Sequence, residues 1–81
     1  MATLFVLNVP EFEPLRLASA SNPDIGVTEL SHYTRIEAKG DLLLRRRDAG
    51  LGKAVWYGAL TGGYLGTVVR FDDDELRISD D

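Results

Sequence analysis

KAVWYGALTGGYLGTVVRFDDDELRIS, residues 53–79, is the stretch whose reading decides the fold. It holds the only Trp and two of the three Tyr, and it carries two turn signals, Gly62-Gly63 and Asp72-Asp73-Asp74. Apolar runs flank both turns, as strands joined by tight connections require. The expected strands are Ala54 to Leu60, Tyr64 to Phe71 and Glu75 to Ser79. A helix over Ala54 to Leu60 is the rival reading, and Gly58 inside the run with Gly62, Gly63 and Gly66 beyond it counts against one. Gly66, inside the second run, predicts a bulge or a sharp bend. In the last run Leu76 and Ile78 point inward, and Glu75, Arg77 and Ser79 outward.

Working outward, Thr3 to Val9 is an apolar, β-branched and aromatic run stopped by Pro10, which reads as a buried strand. Residues 10–26 hold all three prolines and read as loop, with Leu15-Arg16-Leu17 alternating as a short strand would. Asn22-Pro23-Asp24 with Gly26 is a turn signal. Thr28 to Ala38 is open between a helical turn capped by Thr28 and a strand over His32 to Ala38. Lys39-Gly40-Asp41 predicts a hairpin turn, with Leu42 to Arg47 as the return strand. The acidic end, Ser79-Asp80-Asp81, is expected to fray. The fold class expected is all-β, with one short helix at most. Its form is a small barrel or meander of five or six strands, of OB or SH3 size, in a single domain.

Composition narrows the chemistry. Eighty-one residues support one modest core. The absence of Cys excludes disulfides, thiolate metal sites and a Cys nucleophile. There is no apolar run of membrane-spanning length, and the N-terminus lacks the basic region of a signal peptide, so the default location is cytoplasmic. The net charge of −4 argues against a general phosphate-backbone binder. Charge is unevenly spread, however. Basic residues concentrate between Arg35 and Lys53, while Asp72 to Glu75 and Asp80-Asp81 hold six of the thirteen acids.

No constellation reads as catalytic. His32, the only His, reads as a strand residue without a base's partner. Asp72-Asp73-Asp74-Glu75 lacks the spacing of a calcium loop and reads as a turn whose Asp side chains hold local backbone. The glycines lack a phosphate-loop pattern. Hence no catalytic residue, metal or cofactor is expected. Arg45-Arg46-Arg47 is the sharper signal. In a strand, Arg45 and Arg47 share a face, and with Arg35 across the hairpin and Lys53 nearby they form a cationic patch for phosphate or carboxylate. The alternative is an exposed strand kept soluble by charge. Trp56, Tyr57 and Tyr64 either fill the core or form a stacking platform. The candidate contact residues are Arg45, Arg47, Arg70, Trp56 and Tyr64.

Gly40-Asp41, Arg47-Asp48, Ala54-Val55, Gly62-Gly63 and Leu65-Gly66-Thr67-Val68-Val69-Arg70 follow one another in this order. That succession resembles the HIRAN domain family over Gly40 to Arg70, with Thr67 and Val69 where the family carries Tyr and Pro. The resemblance implies a small barrel similar to an OB-type fold that recognises nucleic-acid ends or single strands. It implies Arg70, and after it Arg47, as contact residues. Three functions therefore compete. The first is a non-enzymatic interaction module that binds a protein partner or itself. The second is a HIRAN-like nucleic-acid binder, and the third is a small-ligand carrier or enzyme accessory subunit.

Overall fold

The computed structural model describes residues 1–80; Asp81, in the acidic end expected to fray, lies outside them. The chain is mostly β, in two small antiparallel sheets rather than a closed barrel. The first sheet has the order β2-β3-β1-β5, built from β1 (Ala2–Leu7), β2 (Ile25–Glu29), β3 (Tyr33–Ala38) and the two-residue β5 (Tyr64–Leu65). The second has the order β4-β7-β6, from β4 (Leu42–Arg45), β6 (Thr67–Phe71) and β7 (Glu75–Ser79). Leu4, Val6 and Ile36 of the first sheet, Leu42, Leu76 and Ile78 of the second, and Leu15 and Trp56 from the helical segments are fully buried. They belong to one core cluster. Burying each such side chain stabilises the fold by about 1.5–3 kcal/mol.

Several expectations are corrected. Residues 10–26 are not a loop: Pro10–Phe12 form a 3-10 turn, α1 runs over Glu13–Ala20, and Ile25 and Gly26 open β2. Pro14 sits in the first turn of α1, where a missing N–H costs nothing, so it starts the helix instead of breaking it. Leu15 and Ser19, four residues apart, face inward, while Leu17 is 63% exposed, which is helical and not strand periodicity. The Arg16 guanidinium donates to the Leu7 and Val9 carbonyls, both at 3.2 Å, and ties the helix to the end of β1. Thr28 lies within β2, and His32 is exposed in the bend between β2 and β3.

Lys39-Gly40-Asp41 does not close a hairpin. It carries the chain from the first sheet into the second, so β3 and β4 are not neighbours and Arg35 does not face Arg45. Ala54 to Leu60 is not a strand either. Lys53–Trp56 is a single helical turn, α3, and Ala59–Gly62 a 3-10 turn. The Trp56 and Tyr57 amides donate to the Gly52 and Lys53 carbonyls at 3.0 Å. The buried side chains of this run are Trp56 and Ala59, a helical spacing that β propensity hid.

The reading of the remaining turns agrees with the structure. Gly66 has φ +115°, and a Cβ there would collide with the Ser79 carbonyl. This bend divides the expected Tyr64–Phe71 strand, sending β5 to one sheet and β6 to the other. Asp72-Asp73-Asp74 joins β6 to β7, with Leu76 and Ile78 inward as expected. At the acidic end Ser79 is paired within β7, and Asp80 holds the N-terminal ammonium of Met1.

Candidate binding cleft on the second sheet

Alternation along β4 and β7 sends Leu42, Leu44, Leu76 and Ile78 to the core and Arg45, Glu75 and Arg77 to the opposite face. Arg45 lies directly across from Glu75, and Arg77 from Arg70 of the edge strand β6. β4 ends at Arg45 instead of running on to Arg47. Residues Arg46–Ala49 form the helical turn α2, closed by Gly50 in the left-handed region at φ +67°. That turn separates the three consecutive arginines. Arg45 and Arg47 line an open cleft of about 420 Å³ together with Arg70, Asp48, Asp74 and Glu75. Arg46 leaves the cleft and is tied to backbone: its Nε donates to the Asp73 carbonyl and its Nη1 to the Leu51 carbonyl at 3.1 Å.

The Asp72–Glu75 turn forms one wall. The Asp72 amide donates to the Glu75 carbonyl at 3.0 Å. Asp72 Oδ1 accepts the Asp74 and Glu75 amides, both at 2.9 Å, and Oδ2 accepts Arg70 Nε at 2.7 Å. The Arg70 guanidinium above all, and then those two amides, hold the Asp72 carboxyl down at about 2. The Tyr57 hydroxyl donates to Asp73 Oδ1, and Lys53 Nζ stands 3.2 Å from Oδ2. These two contacts lower the Asp73 carboxyl, the tyrosine first, and the same hydrogen bond raises the Tyr57 hydroxyl.

Glu75 is directed outward as expected, yet it is only 7% exposed. Its Oε2 lies 3.4 Å from Arg70 Nη1 and 3.6 Å from Arg77 Nη2. Both are ion-pair separations, and Oε2 accepts no hydrogen bond among the described residues. A buried carboxylate thus sits at the foot of the arginines. Among the described residues, the side chains of Arg45 and Arg47 enter no hydrogen bond or ion pair that would hold them in place.

The structure brings together Arg45, Arg47 and Arg70 and leaves Trp56 and Tyr64 out. Trp56 is fully buried, edge-on to Phe71 at 5.7 Å between centroids, and its indole Nε1 donates to the Asp72 carbonyl at 2.6 Å. It is a core residue and not a stacking platform. Tyr64 is exposed on β5, in the other sheet. Sequence reasoning missed Asp48, Asp74 and Glu75 as lining residues. The available signal was the period-2 pattern that put Glu75 on the outward face with Arg77.

Chemically, the lining sets three guanidinium groups against three carboxylates. It contains no Ser, Cys, His or Lys, and its titratable acids are Asp48, Asp74 and Glu75. No group of potential metal ligands occurs among the described residues, and none of their helices is long and apolar enough to cross a membrane. No family model matches the chain, and no curated protein matches it.

Proposed function

We propose that this protein is a non-enzymatic interaction module whose arginine cleft receives a carboxylate-bearing segment of a partner protein. The observation that carries this reading is the convergence of Arg45 and Arg47, without partners among the described residues, with Arg70 around one cleft. A planar guanidinium presents paired donors that match a carboxylate. The interleaved acids argue for a ligand that presents its own donors beside its acid, as a polypeptide does, over a uniform polyanion.

Titration of the 15N-labelled protein with an acidic peptide alternating Glu and Ser tests it. The Nε–H resonances of Arg45, Arg47 and Arg70 should shift, and Arg45→Glu with Arg47→Glu should abolish the response. Shifts confined to other surfaces would overturn the assignment. A HIRAN-like single-strand binder is the second reading, supported by the same convergence and by the Leu65 to Arg70 succession. It requires a single-stranded oligonucleotide to bind with an affinity that falls steeply with salt. Oligonucleotide binding lost in the same double variant would favour this reading over the first.

A further inference from the structure

β2 is the outermost strand of the first sheet, with β3 on one side and no strand on the other. The Leu30 amide donates to the Tyr33 carbonyl at 2.7 Å, closing the β2–β3 hairpin. Antiparallel alternation then turns the amides and carbonyls of Thr28 and Gly26 toward β3 and those of Val27 and Glu29 away from it. Ile25 fits this phase: its amide points off the sheet, to the Asn22 carbonyl at 3.1 Å. The register sets Val27 opposite Ile36 and Glu29 opposite Thr34, so both side chains stand on the face that α1 covers. Between α1 and this free edge runs a groove of about 290 Å³, walled by Glu13, Leu17 and Ala20 of the helix and by Val27 and Glu29 of the strand. Leu17, at 63% exposure, leaves apolar surface along it. Its one basic lining residue, Arg16, is tethered to the Leu7 and Val9 carbonyls.

We propose that this groove binds an extended, basic segment of a partner protein, which adds to the first sheet as a fifth strand beside β2. Main-chain pairing with Val27 and Glu29 supplies the register. Alternate apolar side chains rest on Leu17, Ala20 and Val27, and lysines or arginines meet Glu13 and Glu29. A helix beside an open edge strand is a geometry that strand addition uses. β2 offers five residues with an unbroken register, whereas the other long edge, β6, is interrupted by a shift between Val68 and Arg70. Charge selects the occupant. A second copy would bring two Glu13–Glu29 rims together on a chain of net charge −4, whereas a basic segment neutralises them. This surface is separate from the arginine cleft and stands or falls without it.

The probe is a capped peptide of sequence Lys-Val-Lys-Thr-Lys-Val-Lys, with its Glu-for-Lys counterpart as control, added to the 15N-labelled protein. The basic peptide should shift the Val27 and Glu29 amides and slow their hydrogen exchange. The Glu13→Lys, Glu29→Lys variant should weaken it about tenfold at low salt and turn the preference toward the acidic control. Val27→Thr, which keeps the backbone and both acids, should weaken binding without changing the charge preference. Absence of binding at millimolar peptide, an affinity unmoved by the charge reversals, or shifts located at Arg45 and Arg70 would each overturn the proposal. So would concentration-dependent protection of the Val27 amide without peptide, which would assign the edge to a second copy.

Discussion

The two sides of the Asp72–Asp74 turn carry similar charges and treat them in opposite ways. On one side Arg46, Lys53, Trp56 and Tyr57 converge on the turn, and each has an assigned partner: the Asp73 carbonyl, the Asp73 carboxylate, the Asp72 carbonyl and the Asp73 carboxylate again. On the other side Arg45 and Arg47 stand beside Asp48, Asp74 and Glu75 with no partner among the described residues, and Arg70 bridges to the turn. The difference teaches that neighbouring arginines in the sequence can divide between internal hydrogen bonds and an open cleft. The saturated side fixes the wall against which the open side is displayed.

The largest expected effects fall on the saturated side. Trp56→Ala removes a fully buried indole and leaves the Asp72 carbonyl without its donor. It should cost about 3–5 kcal/mol in urea unfolding, a large part of the stability of a small domain. Arg46→Ala comes next, at about 1–3 kcal/mol, because the Asp73 and Leu51 carbonyls lose charged donors in a part-buried place. Arg46→Lys should recover only part of that loss, since one ammonium cannot reproduce the span of Nε and Nη1. A cost for Arg46→Ala no greater than that of Arg45→Ala would collapse the distinction between the two sides.

The same contrast explains what was legible in the sequence. The β6–β7 hairpin and the bend at Gly66 were readable because local chemistry dictates them: a run of turn-forming aspartates, and a glycine where no Cβ fits. The convergence of Arg45, Arg47 and Arg70 was only half readable. Strand alternation puts only Arg45 and Arg47 on one side, without Arg70, whereas in the structure α2 folds the chain back after Arg45. The helices were missed because their signals imitate other structures. Pro14 looked like a breaker when it sits in a first turn, and Val55-Trp56-Tyr57 has β propensity although Trp56 is drawn into the core from a helical turn. The division into two sheets depends on long-range pairing of β1 with β3 and of β4 with β7, which a local reading of Lys39-Gly40-Asp41 as a hairpin could not supply. The structural role of Arg46 lay hidden for the same reason, since one of its acceptors, the Asp73 carbonyl, lies 27 residues along the chain.

A smaller effect should appear at acid pH. The Asp72 carboxyl is lowered from its ordinary 3.8 to about 2 by Arg70 and by the Asp74 and Glu75 amides. Its folded form therefore binds a proton less readily than its unfolded form. The resulting stability is fully present above pH 3.8 and is lost as the pH falls through about 2. Asp72→Asn should flatten this limb of the unfolding profile, leaving the shallower share that Asp73 contributes in the same direction. An acid limb unchanged in Asp72→Asn would mean that the Arg70 contact is not maintained in solution.

The smallest expected effect is the one that decides the comparison. Arg45→Ala with Arg47→Ala should change stability by no more than about 0.5 kcal/mol at 0.1 M salt, because neither side chain holds a partner among the described residues and both are exposed. The substitutions take the net charge from −4 to −6 and leave Asp48, Asp74 and Glu75 without two nearby cations. A slight loss at low salt should therefore shrink as salt is raised, since interactions between exposed charges are screened beyond about 10 Å at 0.1 M. A loss that persists in salt would mean that these arginines pack their stems against the sheet as structural groups. A loss that vanishes, combined with abolished binding of the acidic peptide, would separate recognition from folding at this cleft.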